Sequence, residues 1–250
     1  MHVLLTRPLE DSRRTAQELA KRGHEAVIAP LFEIEYLDGP EPQLEGVQAV
    51  LVTSGNGVRA LAKRMARRDI PLLVVGAQTA ATARKEGFAN IRDAGGDAAA
   101  LVSLARAELR AEAGVLLHAA GTNASPAFSA SLTQAGFDAR TCVLYDTVEA
   151  GELPTAAVEA LRSDSLDAVL IYSPRSARLF ADRVNRAGLA RSCAHLIACC
   201  ISREAADALD GLTFAESRIA AHSDQDSLFD LIPLPRHRGV GSDSVARRPG

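Results

Sequence analysis

The chain has 250 residues, 47% of them hydrophobic and 24% charged, with a formal net charge of −3. This suffices for two domains of moderate size, since roughly 100 to 200 residues make one, and it excludes a disordered chain. The slight acidity also lacks the electrostatic footprint of a protein whose business is nucleic acid or an anionic membrane.

Taken from the start, His2 to Leu5 reads as a strand, Ser12 to Arg22 as an amphipathic helix and Ala26 to Ala29 as a second strand. A strand at Ala49 to Val52 leads to a helix at Val58 to Arg67, and a strand at Leu72 to Val75 leads to a helix at Ala77 to Glu86. Val115 to Leu117, Phe128 to Gln134 and Thr141 to Leu144 read as strand, helix and strand. Ala168 to Ile171, Ser176 to Asn185, His195 to Cys200 and Glu204 to Leu209 alternate strand and helix again. Such alternation predicts an α/β protein with parallel sheets covered on both faces. No apolar run approaches the roughly 18 to 20 residues that span a bilayer. Met1 to Pro8 reads as strand and not as a charged-then-apolar leader, so a cytoplasmic protein with no membrane partner is expected.

An internal repeat organises these elements. Ala49 to Arg64 aligns without a gap with Ala168 to Arg183, identical at seven of sixteen positions, so the similarity exceeds a shared preference for alanine. Val75 to Gly87 then follows Cys199 to Gly211 in step, and Asp97 to Leu104 follows Asp224 to Leu231. His2 to Ile34 has a weaker echo in Gly114 to Thr147. The pattern loosens around Glu33 to Gln43 and Asp146 to Pro154, where glycine and proline mark connections. Residues 233–250 have no periodic apolar face and read as a disordered tail.

In parallel sheets ligands sit beyond the carboxyl ends of strands, so the strand-to-helix turns carry the candidate chemistry. Thr53-Ser-Gly-Asn-Gly57 and its repeat partner Tyr172-Ser-Pro-Arg-Ser176 are two such turns, and Gly76-Ala-Gln-Thr79 and Cys200-Ile-Ser-Arg203 are two more. Their hydroxyls and backbone N–H groups suit an anionic ligand at a positive helix end. A helix N-cap explains each serine or threonine equally well. No phosphate-binding glycine motif follows a strand, which removes the main support for a nucleotide. Cys142, Cys193, Cys199 and Cys200 lack metal-ligand spacing and read as small buried hydrophobes. His24, His118, His195 and His222 are scattered, which fits packing or surface roles. With no metal set and no activated nucleophile, an enzyme here must work by positioning and a mild proton donor.

The motifs Leu4-Leu-Thr-Arg-Pro8, Val52-Thr-Ser-Gly-Asn-Gly-Val58, Val75-Gly-Ala-Gln-Thr-Ala80, Val143-Leu-Tyr-Asp-Thr147, Tyr172-Ser-Pro174, Ile201-Ser-Arg-Glu-Ala205 and Asp226-Ser-Leu-Phe229 occur in order. Through them the chain resembles the uroporphyrinogen-III synthase family over nearly all of residues 1–232. The resemblance implies two flavodoxin-like parallel-sheet domains joined by a two-stranded β connection, with a deep interdomain cleft. The first domain would hold residues 1–34 and 150–232 and the second residues 45–140, with 35–44 and 141–149 as connecting strands. Each domain would then join the front of one repeat to the back of the other.

The implied activity is a cyclising lyase reaction of haem biosynthesis. Hydroxymethylbilane closes to uroporphyrinogen III with ring D inverted through a spiro-pyrrolenine, without metal or cofactor. A transient contact with hydroxymethylbilane synthase and a monomeric state are further expectations. Tyr145 matches the family's cleft tyrosine and is the implied catalytic donor, with ring anchoring of a strand as its structural alternative. Substrate carboxylates would be held at Thr53, Ser54, Asn56, Gly57, Gly76, Thr79, Ser173 and Ser202. Arg203, Arg7 and Arg175 are added on charge alone. The turn His118 to Phe128 lacks the basic residue that many family members carry there, which counts against binding at that turn. A cysteine-dependent racemase fits poorly because Cys142 does not correspond to Cys199 or Cys200 in the repeat. A non-catalytic tetrapyrrole-binding sensor of the same fold stays open.

Overall fold

The computed structural model describes residues 1–233, so the tail expected over 233–250 lies, but for its first residue, outside the described residues. In chain order the first elements are β1 (His2–Leu5), α1 (Leu9–Lys21), β2 (Glu25–Ile28), β3 (Phe32–Tyr36), β4 (Val47–Val52) and α2 (Gly55–Arg64). Then come β5 (Leu72–Val74), α3 (Ala77–Lys85), β6 (Ile91–Asp93), α4 (Ala98–Glu108), β7 (Val115–Gly121), α5 (Pro126–Gln134) and β8 (Ala139–Glu149). The last are α6 (Thr155–Arg162), β9 (Ala168–Ile171), α7 (Pro174–Arg186), β10 (Ile197–Cys200), α8 (Arg203–Asp207), β11 (Glu216–Ile219) and α9 (Gln225–Phe229).

These form two compact units, one from Met1–Glu33 with the residues from Glu149 on, the other from Ile34–Val148. The first holds a parallel sheet in the order β2-β1-β9-β10-β11. The second repeats that order as β8-β7-β4-β5-β6, also parallel, with β3 added beside β8. The repeat seen in the sequence is therefore a repeat of topology, and the expected α/β class with parallel sheets is observed.

Both faces of the central part of each sheet are covered, which is why β1, β4, β5, β7, β9 and β10 carry continuous apolar runs and do not alternate. In the first unit Val3, Leu5, Leu170 and Cys199 pack with Leu19 of α1 and Phe229 of α9. Leu4, Val169, Ile171 and Cys200 face the other way, with Phe180 of α7 and Leu161 of α6. In the second, Val50, Val52, Val74 and Leu117 meet Val58 and Leu61 of α2, while Leu51, Leu73 and Leu116 meet Leu101 of α4 and Phe128 of α5. Adjacent Cys199 and Cys200 thus enter opposite cores. Burial pushes their thiols up to about 12 and about 11, and that of Cys193 to about 11, so all three pack as apolar groups.

The connecting strands expected over 35–44 and 141–149 have other bounds: they are β3 and β8, within which the chain passes from one unit to the other. β8 already starts at Ala139 and is an inner strand, paired in parallel with β7 on one side and flanked by β3 on the other. β3 ends at Tyr36. Beyond it the Arg64 guanidinium donates to the Leu37 and Pro40 carbonyls, so a side chain meets backbone groups that a strand ladder would have used. The short edge strands β6 and β11 were invisible to an apolar pattern because their sequences, Ile-Arg-Asp and Glu-Ser-Arg-Ile, are mostly exposed.

His118 on β7 is a packing histidine. It lies beside Leu51 of β4 and Thr141 of β8, is 2% exposed, and meets the Phe128 ring edge-on with centroids 4.7 Å apart. Neither ring nitrogen has a hydrogen-bond partner, and burial pushes its pKa from 6.5 down to about 4. Because the folded value is the lower one, protonation favours the unfolded chain. Stability is unaffected above pH 6.5 and falls as the pH drops from there to about 4. At about 1.4 kcal/mol per pH unit the loss reaches about 3 kcal/mol. His118→Leu should flatten this part of the acid limb, checked by urea denaturation at pH 7 and 4.5. An unchanged loss on acidification in the variant would show that other groups cause it.

Candidate active site

At the end of β4 the backbone of Ser54 is extended, and its hydroxyl accepts the Gly57 amide at 3.2 Å, which caps α2. The same hydroxyl lies 3.1 Å from the hydroxyl of Tyr145 on β8. The capping role and the site role of Ser54 therefore coexist in one oxygen.

Tyr145 reaches Ser54 through an irregularity in β8. Ala120 is opposite Val143, but the next residue of β7, Gly121, is opposite Tyr145, so Leu144 is skipped and its side chain is fully buried in the core. A Cβ on Gly121 would lie 2.7 and 2.8 Å from two carbons of the Tyr145 ring. The ring thus rests on bare backbone, an approach that only glycine permits.

Tyr145, Thr147 and Thr53 line a pocket of about 290 Å³. The rest of the lining is the end of β7, Ala120 and Gly121, and the turn after it, Asn123, Ala124 and Ser125. That turn is the one that lacks a basic residue, and it meets the pocket with backbone and small polar groups. The lining offers hydroxyls and an amide but no carboxylate, amine or imidazole. Two helices begin beside it, α2 after Ser54 and α5 after Ser125, and neither has an acidic residue in its first turn. Their positive ends stay unneutralised, which favours an anionic ligand. Among the described residues no group of three or more His, Cys, Asp or Glu is arranged to hold a metal.

The other expected residues divide sharply. Asn56 accepts a hydrogen bond from Arg59 within α2. Gly57 is buried where α2 crosses β4 and β7: a Cβ there would be 2.8 Å from Val52 Cγ1 and 3.0 Å from the Ala119 carbonyl oxygen. Gly76 caps α3 with extended backbone, and Thr79 in that helix is buried. In the other unit Ser173 accepts the Ser176 amide at 3.0 Å and pairs with the Ser176 hydroxyl at 2.8 Å, and Ser202 accepts the Ala205 amide at 3.3 Å. Arg203 is exposed. Arg7 is already engaged: it donates to Asp11 and Gln225 at 3.2 Å and lies 4.8 Å over the Tyr172 ring. Arg175 stacks on Phe32 at 4.5 Å. Burial pushes the Tyr172 phenol up to about 12, partly offset by the charge of Arg7.

The model of the family described as uroporphyrinogen-III synthase HemD matches residues 13–230. The chain belongs to the uroporphyrinogen-III synthase family. None of the curated proteins matches it significantly in sequence. Among solved structures it is similar to uroporphyrinogen-III synthetase from Helicobacter pylori, at 17% identity and a TM-score of 0.61, over 92% of this chain and 97% of that one. A mutant uroporphyrinogen III synthase from Thermus thermophilus is 18% identical, with a TM-score of 0.46, over 92% and 96% of the two chains.

Within this uroporphyrinogen-III synthase fold the glycines of the candidate site have unequal duties. Gly57→Ala should lower stability by about 1–3 kcal/mol, because the added methyl meets a side chain and a carbonyl that cannot both retreat. Gly76→Ala should stay within about 0.5 kcal/mol, since the nearest atom to its Cβ would be 3.8 Å away. Guanidinium denaturation of the two variants checks the contrast, and equal losses would refute it.

Proposed function

We propose that the protein is a uroporphyrinogen-III synthase, a cyclising lyase of tetrapyrrole biosynthesis, and that Tyr145 donates to the departing hydroxyl of hydroxymethylbilane. The reading rests on family membership and, above all, on the 3.1 Å contact between Ser54 and Tyr145 at the pocket.

Loss of the ring A hydroxyl as water requires a proton or a strong hydrogen bond, while the pyrrole nitrogen supplies the electrons. The resulting azafulvene is attacked by the substituted α-carbon of ring D, giving the spiro-pyrrolenine. Its fragmentation and reclosure turn ring D over and return the proton. A phenol, whose ordinary pKa is about 10, is protonated at neutral pH and suits this task. The Gly57 amide donates to the Ser54 oxygen. If the Ser54 proton then goes to the Tyr145 oxygen, the phenol proton can be donated to the substrate.

A pocket of about 290 Å³ suits one ring and its side arms and not a whole tetrapyrrole. Thr53, Thr147, Ser125 and the starts of α2 and α5 would take the carboxylates of that ring. Thr79, Ser173, Ser202 and Arg203 remain secondary anchors in this reading, whereas Arg7 keeps a structural duty.

The wild-type protein should raise the type III share above spontaneous closure when hydroxymethylbilane is generated in place, with isomers resolved by chromatography after oxidation. Tyr145→Phe should slow single turnover about a hundredfold while changing product affinity much less. Ser54→Ala should slow it about tenfold, because it both loosens the tyrosine and removes a cap. A wild type that binds product yet leaves the isomer ratio at background would favour the non-catalytic sensor. An unchanged rate in Tyr145→Phe would remove the donor role.

A further inference from the structure

Asp146 follows the tyrosine, but it does not line the pocket. Its Oδ1 accepts two hydrogen bonds, one from the Thr122 hydroxyl and one from the Thr147 amide at 2.7 Å. Thr147 lines the pocket, and Thr122 starts the turn that supplies Asn123, Ala124 and Ser125 to the same lining. The Thr122 amide also donates to the Tyr145 carbonyl at 3.0 Å, and the Ala124 amide to the Gly121 carbonyl at 3.1 Å. Thr122 itself is exposed and Asp146 half-buried, so neither is explained by packing into the core.

We propose that Asp146 and Thr122 form a clasp that fixes the end of β8 against the turn after β7, the two segments that supply most of the pocket lining, and thereby positions the ring held beside Tyr145. Both are positioning residues: their reach ends on each other and on backbone. The clasp matters for specificity because without it the turn keeps its backbone bond to β8 at Tyr145 and could pivot about it. A pivot widens the pocket at Ser125 while leaving the Tyr145–Ser54 pair in place, so the bound ring gains freedom without losing its donor. This inference rests on the synthase reading.

Thr122→Val removes the donor at nearly constant volume, and Thr122→Ser retains it. With substrate generated in place, Thr122→Val should lower the ratio of type III to type I product about threefold to tenfold, the range for one partly exposed hydrogen bond to a carboxylate. Thr122→Ser should restore the ratio to within about twofold. The melting temperature of Thr122→Val should change little, since the core is untouched. A wild-type isomer ratio in Thr122→Val, or a loss that Thr122→Ser fails to repair, overturns the proposal. Amide hydrogen exchange over Thr122 to Ser125 keeps the two readings apart because it needs no turnover. Exchange there should quicken severalfold in Thr122→Val, and unchanged exchange defeats the clasp even if the wild type makes no type III product.

Discussion

A parallel sheet covered on both faces leaves its polar chemistry only the strand ends. With consecutive residues such as Leu4 and Leu5, or Cys199 and Cys200, committed to opposite cores, a strand with neighbours on both sides can present a functional group only at its end, and Tyr145 sits opposite the last residue of β7, where β8 runs on beyond it. At the carboxyl ends each strand must hand over to a helix whose first amides need acceptors. Ser54, Ser173 and Ser202 meet that need in the same geometry, each accepting the amide three residues on. Their recurrence therefore follows from capping alone, and function has to be found in what else each oxygen touches.

On that criterion the two copies of the duplicated unit part company. Ser54 shares its oxygen with Tyr145, whereas Ser173 shares its oxygen with Ser176, one turn along its own helix. The residue before each serine differs too: Thr53 lines a pocket, while its counterpart Tyr172 is packed under Arg7. The topology recurs and the hydrogen-bond partners at the turns do not. What distinguishes the second unit is the skipped residue in β8 together with Gly121, which let a large ring lie flat against backbone beside a cap.

The sequence carried the architecture because burial on both faces writes itself as apolar runs, and duplication makes the runs legible twice. It also carried Thr53, Ser54 and Tyr145, through motifs. It could not carry their convergence, since a strand irregularity between Val143 and Tyr145 leaves no compositional trace. Nor could it reveal the turn from Ala120 to Ser125, where the useful groups are backbone amides and small side chains. Gly121 was the one available signal, a glycine ending an apolar strand. Arg7 is the opposite case. Its charge suggested a ligand, but Asp11, Gln225 and the Tyr172 ring had already claimed it. Among the elements that went unseen, β6, β11 and the alanine-rich α4 are ones where exposure or a uniformly small side-chain set erases periodicity.

The mildness of the pocket suits the task proposed for it. Closing the ring on one carbon of ring D in preference to its neighbour by a hundredfold requires a difference of only about 2.7 kcal/mol between two transition states. One or two hydrogen bonds to ionised groups, at about 1.5 to 3 kcal/mol each, supply that much if they exist in one orientation and not the other. A strong acid or a metal would lower both barriers together, because both closures begin with the same loss of hydroxyl, and such uniform help carries no selectivity. Hydroxyls and helix amides fixed in space act instead on position. In the proposed reading the geometry to be held is then the placing of β8 against the turn after β7, to which a glycine, a skipped strand residue and the Asp146 carboxylate all contribute beside the phenol.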